Sequence, residues 1–198
     1  MIKLLKIIIG LGNYGNKYIN TRHNMGSFCL LEMSKRLNIK FKKNKSLLGY
    51  IGNLFLYNKN IILFIPDGFI NNSGQSISLI LKFYKINLNN ILIIHDELDF
   101  YPGIAKFKYG GSSGGHNGLK NIICCLQSQQ FYRLRIGIGK PNNKLQTNIF
   151  VLNKPKIEEQ KKIFYAINKS ICALKILIQT NNYCTAINFL HDKTRITL

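Results

Sequence analysis

The chain has 198 residues, and its 28 lysines and arginines outnumber its 8 aspartates and glutamates, so the formal net charge is +20. Hydrophobic residues make up 46 % of the sequence, which excludes an intrinsically disordered chain because enough apolar surface is available to offset the entropy of ordering. No apolar run reaches the roughly 20 residues that a membrane-spanning helix needs. We expect one domain over residues 1–198 in a cytoplasmic protein, with a polyanion such as RNA as its partner.

Short apolar runs alternate with amphipathic segments along the chain. The runs predict strands over Leu4–Gly10, Asn60–Pro66, Ile91–His95 and Leu134–Gly139. The amphipathic segments predict helices over Gly26–Leu37, Ser73–Tyr84, Leu119–Leu126 and Ile157–Ile178. A further short strand carries Lys106 and Lys108 on one face and Phe107 on the other. This alternation is typical of an α/β fold, so we expect a central mixed, largely parallel twisted sheet flanked by helices.

The cysteines do not form a recognisable metal or redox motif. They are odd in number and lack the paired spacing of zinc ligands or of a CxxC sequence. We therefore expect reduced thiols in the core, at Cys29, Cys124, Cys125, Cys172 and Cys184.

Two glycine-rich motifs suggest chemistry that their surroundings do not support. Gly10–Gly15 matches the dinucleotide-binding pattern GxGxxG, but a polar stretch follows it and Glu32 lies within a predicted helix instead of after a second strand. Gly110–Gly114 matches the GxSxG pattern of a nucleophilic serine, which requires an acid and then a histidine downstream. The only such pair near the end of the chain, His191 and Asp192, comes in the reverse order.

A histidine and an acid in two separate loops form the more promising combination. His23 follows the first predicted strand, and Asp96 lies at the carboxyl end of the strand that leads into the sequence HDELD. A histidine that takes a proton from water needs a carboxylate on its other ring nitrogen, and Asp96 is well placed to supply it. The alternatives are that His23 only hydrogen-bonds its own turn and that HDELD is a metal site or a solvated loop.

Three asparagines occupy equivalent positions at strand ends or helix starts. An amide offers a donor and an acceptor without charge, which suits binding of a peptide group or orientation of a water molecule. Each of them alone is also a common turn or helix cap. They are Asn13, Asn71 and Asn117.

Five sequence blocks together resemble the bacterial-type peptidyl-tRNA hydrolases. These blocks are GLGNYGNKYINTRHNMG, FINNSG, HDELDFYPG, KFKYGGSSGGHNGLKNI and RLRIGIGKP. The resemblance implies a monomeric α/β enzyme that uses neither a metal nor another cofactor. It implies that the substrate is peptidyl-tRNA and that the ester between the peptide and the terminal ribose is hydrolysed.

The same resemblance implies roles for individual residues. His23 corresponds to the catalytic base and Asp96 to the acid that holds it. Substrate binding is implied for Asn13, Tyr18, Asn71 and Asn117, and binding of tRNA for Lys106, Lys108 and Arg135. At three positions the sequence has a residue that is unusual for the family: Tyr14, Ile70 and Asp67.

Binding of many different tRNAs favours phosphate contacts over base contacts. Further candidates for such contacts are Lys120, Arg133, Lys140 and Lys144, with a second group around Phe41 at Lys40, Lys42, Lys43 and Lys45. Two other functions stay open from the residues. One is a non-catalytic RNA-binding protein on the same fold, and the other is a metal-dependent hydrolase built on HDELD.

Overall fold

The computed structural model describes residues 4–192, apart from the side chain of Lys144; the two ends of the predicted domain, residues 1–3 and 193–198, lie outside this range. Seven strands are present in these residues: β1 (Ile7–Gly10), β2 (Lys42–Asn44), β3 (Gly49–Leu56), β4 (Lys59–Pro66), β5 (Ile91–Glu97), β6 (Ala105–Tyr109) and β7 (Tyr132–Gly137). Six helices accompany them: α1 (Met25–Arg36), α2 (Ser73–Phe83), α3 (Asn117–Leu126), α4 (Thr147–Leu152), α5 (Ile157–Thr180) and α6 (Tyr183–His191).

The strands form one mixed sheet in the order β2-β3-β4-β1-β5-β7-β6. The pairs β4/β1, β1/β5 and β5/β7 are parallel, whereas β2/β3, β3/β4 and β6/β7 are antiparallel. The predicted α/β class and mixed sheet are confirmed, with the parallel pairing confined to the four central strands.

The two faces of the sheet carry separate apolar cores. Ile8 and Ile94 pack on the face that α1, α5 and α6 cover. Ile7 and Ile93 pack on the opposite face against α2 and α3. Because both faces are covered, the strands β1, β4 and β5 contain continuous apolar runs, whereas arginines alternate with apolar residues in β7.

The predicted elements are present, and four more were not predicted. Strands β2 and β3 have weak strand signals, because β2 is short and polar and glycines interrupt β3. Gly49 is nonetheless required, since a Cβ atom there would lie 2.3 Å from the ring of Phe64. Helices α4 and α6 follow polar, asparagine-rich segments that read as loop.

The expectation of core thiols is correct only for Cys29. That side chain is buried beneath α1, where its thiol has a pKa that burial raises to about 12. Cys124, Cys125 and Cys184 are exposed, and Cys172 is half-buried. These four cysteines lie on α3, α5 and α6, on helix faces that are turned away from the sheet, so they are not part of the core.

No helix in the described part of the chain combines the length and the apolar character that crossing a membrane requires.

The start of α1 packs directly on the backbone of β1 and β5 at Gly26. A Cβ atom at Gly26 would lie 2.2 Å from the carbonyl oxygen of Ile94 and 2.7 Å from that of Leu11. Leu11 also accepts a 2.7 Å hydrogen bond from the backbone N–H of Ser27. Only glycine therefore permits this approach of helix and strand.

Replacing Gly26 with alanine is expected to lower the free energy of unfolding by about 3 kcal/mol, because the contacting atoms are backbone and cannot move aside. Urea unfolding of Gly26→Ala measures the effect. Lys35→Ala, an exposed change on the same helix, is the control and should stay within about 0.5 kcal/mol of the parent. Equal unfolding midpoints for the two variants would contradict the close packing.

Candidate active site

The candidate site lies where the connections leaving the central strands diverge. The strand β1 lies between β4 and β5, and the chain passes from β1 to β4 on one side before it crosses to β5 on the other. A crevice forms at such a point, outside the carboxyl ends of the strands, and open α/β sheets bind ligands there. The loops after β1 and β4 and the end of β5 contribute His23, Asn71 and Asp96 to this region.

Arg22 anchors the turn that carries His23. Its guanidinium donates to the carbonyl of Lys154 at 3.0 Å and forms a 2.8 Å ion pair with Glu159. It also stacks 4.0 Å from the ring centre of Phe150. The 3₁₀ turn Arg22–Asn24 is thereby fixed to the segment that joins α4 to α5.

His23 and Asp96 are in direct contact although 73 residues separate them in sequence. The Nδ1 atom of His23 lies 3.0 Å from Oδ1 and 3.1 Å from Oδ2 of Asp96. Both side chains are buried, with 10 % of His23 and 2 % of Asp96 exposed. The carboxylate is an acceptor, so Nδ1 carries the ring proton and Nε2 keeps its lone pair.

A second histidine, which the sequence analysis did not assign to the site, also contacts Asp96. The Nε2 atom of His116 lies 3.1 Å from Oδ1 of Asp96. At the N-cap of α3, the ring's Nδ1 accepts the backbone N–H of Leu119 at 3.2 Å. Since Nδ1 is the acceptor, the proton of His116 is on Nε2, and Asp96 receives N–H donors from two imidazoles.

The only sequence signal for His116 is its place beside Asn117 in the block GGHNG. It attracts notice there only as a neighbour of the asparagine.

Charge and burial shift the pKa values in this cluster in opposite directions. Burial alone would raise the pKa of Asp96, but the two imidazoles outweigh it and hold that pKa below its usual value. Burial likewise opposes protonation of His23, whereas the charge of Asp96 and its hydrogen bond raise the pKa of His23 above 6.5.

His95, on β5, is excluded as the base by its surroundings. Burial lowers its pKa to about 3. Its Nδ1 donates to the backbone carbonyl of Asp96 at 2.7 Å, while its Nε2 is buried without a partner in the described residues.

Asn13 is held rigidly beside the dyad. Its backbone N–H donates to Oδ1 of Asn24 at 2.8 Å, and its backbone carbonyl accepts from Nδ2 of Asn24 at 2.9 Å. Its own Oδ1 accepts the backbone N–H of Ile70 at 2.8 Å. These bonds link the loops after β1 and β4. They leave the side-chain nitrogen of Asn13, Nδ2, without a hydrogen bond among the described residues.

The other predicted substrate-binding residues lie on neighbouring turns. Asn71 is exposed in the 3₁₀ turn Ile70–Asn72. Asn117 is exposed as the first residue of α3, next to His116, so the helix cap is His116 and not the asparagine. Tyr18 is half-buried, with its ring edge-on to Phe69 at 6.2 Å.

The three predicted tRNA-binding residues lie on the two strands at one edge of the sheet. Lys106 of β6 is directly opposite Arg135 of β7. Lys106 and Lys108 are exposed, while Phe107 is buried on the other face, as the alternation predicts. Arg135 is half-buried and pairs with Glu97 at 2.8 Å.

The wider prediction of phosphate contacts is wrong for Arg133. Its side chain is buried and donates to the backbone carbonyls of Gly111 and Ser112. It therefore fastens the glycine-rich loop and does not present a free charge. The side chain of Lys144 lies outside the described residues.

Asp67, a departure from the family pattern, has a partner of its own. Its carboxylate forms a 2.7 Å ion pair with Lys43. The Lys43 ammonium also lies 5.3 Å from the ring centre of Tyr14 and 5.5 Å from that of Tyr50. Asp67 thus adds little uncompensated negative charge.

The acids of HDELD do not converge on one point. Glu97 pairs with Arg135, and Asp99 pairs with Lys140 at 2.5 Å. The hypothesis of a metal hydrolase built on HDELD is therefore wrong about its ligand set. Within residues 4–192, the group with ligand-like spacing is His23, Asp96 and His116.

Comparison with known proteins gives matches over nearly the whole chain. The family model for peptidyl-tRNA hydrolase matches residues 7–196. A peptidyl-tRNA hydrolase of Baumannia cicadellinicola subsp. Homalodisca coagulata is 46% identical over 188 residues, covering 94% of this chain and 97% of that protein. One of Tolumonas auensis is 43% identical over 193 residues, covering 97% and 98%. A crystal structure of peptidyl-tRNA hydrolase from Acinetobacter baumannii has 37% identity and a TM-score of 0.90, covering 94% of each chain.

These matches confirm the resemblance that the five sequence blocks indicated. The family model includes every block, and the similarity to the solved structure extends to the fold that holds the blocks together. The chain belongs to the peptidyl-tRNA hydrolase family.

Proposed function

We propose that this protein hydrolyses the ester bond between a peptide and the terminal ribose of tRNA, with His23 as the general base. The contact between His23 Nδ1 and the Asp96 carboxylate carries this proposal. It fixes the ring proton on Nδ1, so the lone pair of Nε2 is available to take a proton from water.

The reaction is acyl transfer to water without a covalent enzyme intermediate. His23 removes a proton as the water attacks the ester carbonyl, and the side-chain amides of Asn13 and Asn117 help to position the water. Polar N–H donors at the site stabilise the negative oxygen of the tetrahedral intermediate. The intermediate then breaks its bond to the ribose oxygen, which receives the proton that His23 holds.

His116 is a positioning residue in this scheme. Its N–H bond to Asp96 stabilises the ionised carboxylate in a buried place. The hydrogen bond from Leu119 N–H to His116 Nδ1 fixes the tautomer of His116. His116 therefore donates its Nε2 proton to Asp96 and does not act as a second base.

Asn13, Tyr18, Asn71 and Asn117 are proposed to bind the peptide part of the substrate. Uncharged amides pair well with a peptide bond, whereas a free α-ammonium group would lose its water without gaining a charged partner. The site therefore favours peptidyl-tRNA over aminoacyl-tRNA. Release of the acyl group from an N-blocked aminoacyl-tRNA and from its unblocked counterpart tests this function, and equal rates for the two would contradict it.

Lys106, Lys108 and Arg135 are proposed to contact tRNA phosphates. The two lysines are exposed on one face of β6, and neither forms an ion pair with a carboxylate of the described residues. Arg135 is held by Glu97 and stacks 4.4 Å from the ring centre of Phe100. It offers its remaining N–H groups in a fixed orientation.

The double variant Lys106→Ala/Lys108→Ala should raise KM for peptidyl-tRNA several-fold and leave kcat nearly unchanged, because the lost contacts are remote from the ester. The slope of log affinity against log salt should become shallower by about 1 to 2, since each lost phosphate contact contributes somewhat less than one. Equilibrium binding of tRNA over a series of salt concentrations measures the slope, and steady-state hydrolysis measures KM and kcat.

A matched double variant, Lys35→Ala/Lys82→Ala, removes the same charge at the far ends of α1 and α2. It should leave both KM and the salt slope nearly unchanged. If the two double variants weaken tRNA binding equally, the basic strand has no special role.

We further propose that the enzyme acts as a monomer in the cytoplasm, that residues 1–198 form one domain, and that hydrolysis needs no cofactor. The assembly of His23, Asp96 and His116 from one chain supports activity without a second copy.

A further inference from the structure

Three side chains of the site have the spacing of a metal-binding group. His23, Asp96 and His116 each offer one ligand atom, and these three atoms all lie within 4.8 Å of one another. Both ring nitrogens lie close to Asp96 Oδ1, at 3.0 Å and 3.1 Å. Ligand atoms in a tetrahedral zinc site are about 3.3 Å apart, because the bonds to zinc are about 2.0–2.1 Å long.

Two of the three side chains are partly accessible to solvent. Asp96 is 2 % exposed, but the side chains of His23 and His116 keep 10 % and 8 % of their surface exposed. Their ring centres are 4.9 Å apart. Two imidazoles and one carboxylate leave a fourth position for water, which is the ligand count of open zinc sites.

We propose that Zn²⁺, or Co²⁺ in its place, binds between these three atoms and inhibits the enzyme. The chemistry of the ligands favours a borderline divalent ion, because imidazole suits zinc and cobalt better than it suits magnesium or calcium.

Inhibition follows from the position of the ring proton of His23. Zinc binds a neutral imidazole through a lone pair, so coordination at Nδ1 requires the proton to be on Nε2. The ring still carries one proton, which moves from Nδ1 to Nε2 by exchange with solvent. Nε2 then has no lone pair with which to accept a proton from water, and the base is lost while the side chain stays in place.

Binding of zinc at His116 Nε2 requires the ring proton of His116 to move to Nδ1, which breaks a hydrogen bond. Its Nδ1 now accepts the N–H of Leu119, and a proton on Nδ1 would face that donor. The cap of α3 thus opposes the ion and leaves the site weaker than one whose ring nitrogens are free. This opposition makes reversible inhibition the expected behaviour, not permanent occupancy.

The binding test uses the full chain with its four accessible cysteines replaced, because Cys124, Cys125, Cys172 and Cys184 also attract zinc. Calorimetric titration with Zn²⁺ should show one site of micromolar affinity in this background. Co²⁺ should give the visible absorption of a four-coordinate ion with no thiolate charge-transfer band.

The decisive variant is His116→Asn, which removes a ligand but keeps an acceptor for the N–H of Leu119, since asparagine is a good helix cap. Loss of an outer-shell partner alone typically weakens metal binding about 10- to 100-fold, so we expect a loss of about 100-fold or more. His23→Ala should have a similar effect. The control His191→Ala, in a residue on α6, should bind like the background.

Inhibition is the part of the inference that rests on the proposed function. Hydrolysis by the background protein should fall over the same Zn²⁺ range as binding and recover with a chelator. Binding with unimpaired hydrolysis would overturn the inhibitory role. Equal affinity in the background and in His116→Asn, or no binding below millimolar Zn²⁺, would overturn the site itself. Absence of hydrolysis in metal-free protein would refute the proposed function and leave the calorimetric result to decide the site.

Discussion

Replacement of His23 by alanine should lower kcat for peptidyl-tRNA hydrolysis by about 10³-fold or more, because no other described side chain can take the proton from the attacking water. His95 is buried with a pKa of about 3, and the N–H of His116 is directed at Asp96. Affinity for tRNA should stay within about twofold, since the basic residues on β6 and β7 are unchanged. Single-turnover release of peptide and equilibrium binding of tRNA measure the two effects separately.

The control for this variant is His191→Ala, which removes a histidine outside the cluster. It should hydrolyse at the parent rate. Equal activity of His23→Ala and the parent would remove His23 from the mechanism. A parallel loss of tRNA affinity would instead indicate a role in binding.

The variant Asp96→Asn should lose about 10²- to 10³-fold in kcat, less than His23→Ala, because the ring of His23 stays in place while its tautomer is no longer enforced. An asparagine oxygen at the Oδ1 position still accepts from both rings, but its NH₂ group then takes the Oδ2 position, 3.1 Å from His23 Nδ1, where it favours the tautomer with an unprotonated Nδ1. Circular dichroism of the variant checks that the fold is retained.

The pH profile distinguishes this effect from a general loss of structure. The base acts in its neutral form, so activity is lost as the pH falls through the pKa of His23. Asp96 raises that pKa above 6.5 against the opposing effect of burial. The acid limb of kcat/KM should therefore lie above pH 6.5 in the parent and move to lower pH in Asp96→Asn. An unmoved limb would show that Asp96 does not set the charge of the base.

Local sequence patterns were sufficient for the central strands and the main helices. The strands β1, β4 and β5 contain apolar runs because both of their faces are covered, and α5 shows its buried stripe at Ile167, Ile171, Leu174 and Ile178. The strands β2 and β3, at one side of the sheet, were not predicted. Strand β3 is stabilised by pairing with β4 and by the fit of Phe64 against Gly49, and β2 by pairing with β3; no local stretch of sequence contains these contacts.

The candidate site divides in the same way. His23 and Asp96 stand out in sequence because histidines and acids are few, and the motif blocks name them. The sequence does not reveal the role of His116 or the burial of Arg133. The contact of His116 with Asp96 depends on where α3 begins in space, and the burial of Arg133 depends on the path of the glycine-rich loop.

Sequence by itself determined the α/β class, the basic character and the family to which the chain belongs, because these depend on residue types, their periodicity and motifs that are continuous along the chain. Only the tertiary structure decided that Asp96 receives two imidazole donors, that Asp67 pairs with Lys43, and that the acids of HDELD separate. The physical reason is that ion pairs and tautomers depend on distances of about 3 Å between groups remote in sequence, and packing of the helices on the sheet sets those distances.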